Sequence, residues 1–240
     1  MAGFSYKTSW LAVRSRTAED VADALGLHDR EVLDWATGTE RAYQHGVYVA
    51  APLSEWTLAH GRRHLPAGFD AADPRFCEWL RQLSRDLGEV QYFANERVSD
   101  YYVWARARDG EVLRAYCCIG ERGEVPLFVG DPTDDEVEIG KGTRGGPGAG
   151  RETWSDEEWA AWFAAMPSEG DVMVMAGRWS VDPAAIDDSA VTAAGIHGLP
   201  PTVRHTARVR ETAEPSHGDE AGRIEADAAF WRRFRAGGKP

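Results

Sequence analysis

The sequence predicts an α+β fold: a mainly antiparallel sheet in the order β-α-β-β-α-β-β-β-β, covered by helices, with a helical C-terminal part. Three observations carry the prediction. Strand-like runs rich in Val, Tyr, Phe and Trp follow one another between 89 and 130 with short connections, which allow antiparallel neighbours and no crossover. Segments 73–88 and 154–166 instead repeat apolar residues at helical spacing behind recognisable caps. The Asp109-Gly110 step between two of the strand-like runs is the strongest short signal for a hairpin.

From the N-terminus, Trp10 to Val13 reads as a short strand. Thr17 then caps a helix from Ala18, Asp20 completes a capping box, and Val21, Ala24 and Leu25 face inward. "DREVLDWA" (29–36) is expected to form a turn or short helix that buries Val32 and Trp35. "GVYVAAPLSEWTLAHG" (46–61) divides into two strands at Pro52, anchored by Tyr48, Trp56 and Leu58. In "DPRFCEWLRQLSRDLG" (73–88) Asp73 is the N-cap, Pro74 takes the first helical position and Gly88 ends the helix. Phe76, Trp79, Leu80, Leu83 and Leu87 form its apolar stripe. Four strands follow, "EVQYFA", "SDYYVWARA", "EVLRAYCCI" and "VPLFVG", with helices expected on one face of the sheet.

The texture changes after residue 129. Glycines and acids crowd "GDPTDDEVEIGKGTRGGPGAG" (130–150), which reads as a loop with a flexible glycine-rich insert over about 139–151. "WSDEEWAAWFAAM" (154–166) is a helix with Ser155 and Glu158 as capping box and Trp154 and Trp159 as hydrophobic staple. Its expected buried stripe is Trp159, Trp162, Phe163 and Met166. A further helix starts at Ser168 and presents Val172, Met175, Ala176 and Trp179, with Met173 and Met175 filling core gaps. Residues 1–185 thus read as one domain. Residues 186–240 are poor in large apolar residues until Ile224 and read as a linker or poorly ordered tail. The tail ends in a predicted amphipathic helix over 221–235 carrying Ile224, Ala228, Phe230, Trp231 and Phe234.

Charge narrows the function classes. The net charge is −12, and the tail is balanced, so the whole excess of acid belongs to residues 1–185. Within 121–171 there are 13 acidic side chains against four basic ones. Such a field disfavours nucleic acid and anionic membrane and favours a basic protein partner. No run of 18 apolar residues exists and no secretory leader is visible, and the three cysteines lack metal-like spacing. A cytoplasmic protein is expected.

The motifs that suggest catalysis or a cofactor do not hold together. Gly140, Gly142 and Gly145 match G-x-G-x-x-G, but no buried strand precedes them and no helix follows, and their acidic approach would repel phosphates. His60 and His64 share a helical i, i+4 spacing in a segment that reads as a strand end before Pro66, with Arg62 and Arg63 between. Cys77 or Cys118 could meet a histidine in space, yet nothing selects a base for either. No catalytic, cofactor-binding or metal-binding residue is assigned, and the sequence leans away from an enzyme.

One stretch remains. A two-residue turn at Asp109-Gly110 pairs Arg108 with Glu111, Trp104 with Ala115, Tyr102 with Cys117 and Tyr101 with Cys118. The smaller, more apolar set (Tyr101, Val103, Ala105, Ala107) is expected under helices. The other face carries Tyr102, Trp104, Arg106 and Arg108 in an unbroken row, the composition that interfaces favour. That row, with Glu96, is the candidate binding face. Either it meets a partner or ligand, or the tryptophan-bearing helices of the C-terminal part cover it.

"KTSWLAVRSRTAEDVADALGL", "GEVQYFANERVSDYYVWARARDGEVLRAYCCIGERGEVPLFVGDPT" and "DVMVMAGRWSVDP" resemble a Streptomyces-type actinobacterial family of uncharacterised proteins. The resemblance implies a bacterial cytoplasmic protein and one domain through about residue 185, and it brings no activity. The leading expectation is a non-catalytic protein-binding module, immunity-type or regulatory, with an acidic surface for a basic partner. The alternative is an enzyme or small-ligand binder with a pocket between the sheet and the C-terminal helices.

Overall fold

The computed structural model describes residues 4–62, 64–120, 124–143, 154–187, 191 and 193–201. Among these residues nine strands form one sheet: β1 (Thr8–Arg14), β2 (His28–Leu33), β3 (Val47–Val49), β4 (Trp56–His60), β5 (Glu89–Glu96), β6 (Tyr101–Arg108), β7 (Glu111–Ile119), β8 (Glu124–Val129) and β9 (Gly195–Leu199). The helices are α1 (Ala18–Ala24), α2 (Trp35–Gln44), α3 (Phe76–Leu87), α4 (Asp134–Glu138), α5 (Asp156–Ala165) and α6 (Glu169–Trp179). The spatial order is β2-β9-β3-β4-β1-β5-β6-β7-β8 and every pairing is antiparallel, an α+β fold with a helical C-terminal part.

β1 lies between β4 and β5 and is buried on both sides, so its residues alternate between two cores. Leu11 and Val13 enter the first core, where Val90, Tyr92, Val103, Ala105 and Cys117 pack beneath α1 and α3. Trp10 and Ala12 enter the second, with Tyr48, Phe93, Trp104, Tyr116 and Cys118 beneath α2 and α6. Helices therefore cover both faces, where the sequence suggested one. The reason is β1 itself: a central strand with large apolar residues at odd and even positions has no face to give to water.

The locally encoded elements form as expected. Thr17, Ser155 and Ser168 each close a capping box with Asp20, Glu158 and Asp171. The Trp154–Trp159 staple is present with ring centroids 5.0 Å apart. In α3, Phe76, Leu80, Leu83 and Leu87 are buried, each worth roughly 1.5–3 kcal/mol of transfer free energy, and Gly88 terminates the helix at φ 86°. The helix starts two residues later than Pro74. Asp73 accepts the Arg75 amide at 2.8 Å in a turn that precedes the helix, and no side chain caps it.

Several expectations are corrected. Residues 28–33 form edge strand β2 rather than a helix, and Val32 is 71% exposed. Asp34 then caps α2 by accepting the Thr37 amide, which starts the helix at Trp35 and buries that ring as expected. Residues 195–199, read as linker, are β9, inserted between β2 and β3. The sequence "GIHGL" looks like a loop because a Cβ at Gly195 would fall on the Val49 carbonyl, so close strand packing requires glycine there. The acidic loop after β8 contains α4, capped by Thr133. In α5 only Trp162 is buried; Trp159 and Met166 are half-buried and Phe163 is 54% exposed. The predicted helix over 221–235 and residues 144–151 of the glycine-rich insert lie outside the described residues.

Candidate functional site

The β6–β7 hairpin decides where the candidate face goes. Asp109 and Gly110 adopt φ 51° and 87°, the left-handed pair of a two-residue turn, and Arg108 faces Glu111 as expected. A β-bulge then follows. Arg106 pairs with Arg114, Trp104 with Tyr116 and Tyr102 with Cys118, so Leu113 is the extra residue and is 40% exposed. The bulge moves every later β7 side chain to the other face. Cys117 and Cys118 do point to opposite sides, but Cys118 shares a core with Tyr102 and Cys117 with Val103.

The row is covered. Trp104 is fully buried and Tyr102 nearly so, both in the core beneath α6. Trp104 stacks on Tyr116 at 4.7 Å, and its Nε1 donates to Glu136 Oε1 at 2.7 Å. The Arg106 guanidinium lies 5.0 Å from the Trp179 ring centroid. Arg108 is exposed and paired with Glu89 at 2.7 Å. Glu96 is not part of the row, because it occupies the same face of β5 as Tyr92 and Ala94, which belong to the other core. The five residues therefore do not form one free surface, and Tyr102 and Trp104 belong to the second core.

What the row supports is a buried ion pair that the sequence did not reveal. Arg114 and Glu136 are 1% and 0% exposed. Arg114 Nε donates to both Glu136 oxygens at 3.0 and 2.9 Å, and Nη2 donates to Glu136 Oε1 and to the Gly142 carbonyl, each at 2.7 Å. Nη1 donates to the carbonyls of Val129 and Gly130 at 3.1 and 3.0 Å. All five guanidinium protons thus have acceptors, and the plane lies 4.4 Å from the Phe128 ring centroid. Glu136 also accepts from Thr133 N at 2.7 Å and from Thr133 Oγ1 at 3.0 Å, as the capping-box residue of α4. The pair fastens residues 129–142 to the sheet. "T-x-x-E" was the available signal, but a capping box does not say that its glutamate will be buried.

The fastened segment carries a surface. Lys141, just beyond α4, donates to the carbonyls of Ala164 and Met166 at 2.6 and 2.8 Å, closing the C-terminus of α5, and lies 3.8 Å from Asp171 of α6. Arg178 of α6 joins Glu138 and Asp135 of α4. These two cations are the only ones among the described residues of 131–179, against ten carboxylates. Trp154, just before α5, and Trp159, Trp162 and Phe163 on it pack on one another, with centroids 4.9–6.4 Å apart. Phe163 is open to solvent on the helix face that carries Asp156; Glu157 and Glu158 are exposed on the first turn of α5, and Val137 and Val174 are also exposed.

Burial raises the pKa of Cys77, Cys117 and Cys118 above that of an ordinary thiol, the opposite of what a nucleophile needs. His60 and His64 do not converge. His60 is buried, stacked on Phe4 at 4.3 Å, whereas His64 meets His45 at 5.4 Å. No group of three or more metal-ligating side chains converges among the described residues, and no helix there is long and apolar enough to cross a membrane. Searches of protein families, curated proteins and solved structures return no match to this chain.

Proposed function

We propose that the protein is a non-catalytic protein-binding module whose α4–α6 surface engages a basic protein partner. The observation that carries the reading is the α5 face, where the half-exposed Phe163 and the half-buried Trp159 share a side of the helix with Asp156, on a helix whose first turn also exposes Glu157 and Glu158. Aromatic side chains at a centre with charge at the rim are the composition of an interface. The partner's chemistry follows from the charge. Lys141 and Arg178 are already engaged within the protein, so among the described residues the surface has acid to offer and little free cation. An immunity-type role, in which this surface occludes a basic effector, is the concrete form of the proposal.

The test is site-specific photocrosslinking in cells from position 163, with position 32 on exposed β2 as control, followed by identification of the adduct. A basic partner captured from 163 alone, whose affinity falls with salt and with Glu157→Lys, supports the reading. An acidic partner, or equal capture from both positions, overturns it.

A further inference from the structure

A cleft lies on the opposite face of the sheet. Where β1, β5, β6 and β7 end, residues 64–73 arch over the first core and border this open cleft of about 520 Å3. That volume falls within the roughly 300–1,000 Å3 of small-molecule sites. The apolar wall is Leu65, Pro66, Phe69, Ala94 and Ile119. The floor is a set of hydroxyls tied to the arch. Ser9 Oγ donates to Leu65 O at 2.6 Å, Tyr92 donates to Leu65 O at 3.3 Å, and the Tyr101 hydroxyl accepts the Ala71 amide at 2.9 Å. Burial pushes both phenols well above their ordinary pKa, so the floor is uncharged.

The charges set this cleft apart. Lys7, Arg62, Asp70 and Glu96 all line it, and among the described residues none of the four has an ion-pair partner within 4.0 Å. Most other arginines of the described residues, Arg14, Arg30, Arg75, Arg108 and Arg178 among them, are matched to carboxylates. Among the described residues, Asp70 and Glu96 accept only nearby backbone amides, from Ala72 and Val98. Two cations and two anions thus share one cavity without neutralising each other. Lys7 is also held at φ 54°, a region that a β-carbon disfavours and that concentrates at functional sites.

We propose that this cleft binds a small zwitterion with an apolar body, a free L-amino acid with a large apolar side chain. Its carboxylate is met by Lys7 and Arg62, its ammonium by Asp70 and Glu96, and its side chain by Phe69, Leu65 and Ile119. A ligand with one sign of charge would leave the other pair of side chains unmatched. The site is independent of the protein-binding reading, since α4 and α6 lie across the sheet.

The experiment is calorimetric titration of the full chain with the common free L-amino acids, followed by the carboxamide and N-acetyl forms of the tightest. At least one aromatic or branched member should bind one-to-one with a Kd below about 1 mM. Blocking either end should weaken binding at least about tenfold, as should Lys7→Gly and Arg62→Gln. Lys7→Gly places at φ 54° the residue that adopts it freely, so its lost binding should come with an unchanged or raised Tm. The proposal is overturned if no amino acid binds, or if binding survives both end-blocking and removal of the two cations.

Discussion

Glu136→Gln should destabilise the protein severely, although it changes one atom. The substitution leaves the Arg114 guanidinium buried, 1% exposed, without its countercharge. It also sets donor against donor. Glu136 accepts from Arg114, Trp104 and Thr133, and either orientation of a Gln amide turns its NH2 toward at least one of these donors. Removing one member of a buried pair typically costs about 3–5 kcal/mol. For a folded unit of this size, where each kcal/mol moves Tm by about 2–4 °C, the expected drop is roughly 6–20 °C. The double variant Arg114→Met/Glu136→Gln removes the uncompensated charge, so it should be more stable than the sum of the single variants implies, by at least about 2 kcal/mol of coupling. Urea unfolding of the four members of the cycle, followed by tryptophan fluorescence and circular dichroism, measures both quantities. A Glu136→Gln loss below about 1 kcal/mol, or additive single effects, would refute the reasoning.

Other outcomes follow from the same geometry. His60 is buried without a hydrogen-bond partner for either ring nitrogen among the described residues, and burial alone lowers its pKa to about 3. The unfolded chain, at about 6.5, binds the proton first, so this stability is complete above pH 6.5 and is lost as pH falls toward 3, reaching about 2 kcal/mol by pH 5. His60→Phe should abolish that component between pH 6.5 and 5 with no loss at pH 7, read by urea midpoints; an unchanged pH slope contradicts the assignment. Gly38→Ala should destabilise by about 1–3 kcal/mol despite its better helix propensity, because a Cβ there falls on the Tyr48 ring. A stabilised variant would show that α2 is not seated on β3. Phe163→Ser should leave Tm within about 2 °C, since exposed positions change stability by about 0.5 kcal/mol or less, yet weaken the crosslinked partner's binding at least about tenfold. Loss of Tm without loss of binding reverses the role given to α5.

The sequence by itself determined whatever closes within a few residues. Thr17 with Asp20, Ser155 with Glu158 and Ser168 with Asp171 start their helices through bonds three residues long, and Asp109-Gly110 fixes its turn through its own backbone angles. The i, i+4 stripe of α3 was legible for the same reason, as was the net acidity of the domain. Only the tertiary structure decided which faces these elements meet. Leu113 is an ordinary strand residue in sequence, yet as the bulge it sends Cys117 and Cys118 to the faces opposite those that simple pairing assigns. β9 finds its place between β2 and β3 from 146 residues beyond Val49, through pairings that no window of sequence contains. Glu136 and Trp104 meet across 32 residues, which turns a surface-like capping glutamate into a buried acceptor and a binding-face tryptophan into a core one. Long-range pairing selects among faces that local propensity leaves equivalent, because a one-residue shift in register exchanges inside for outside at almost no local cost.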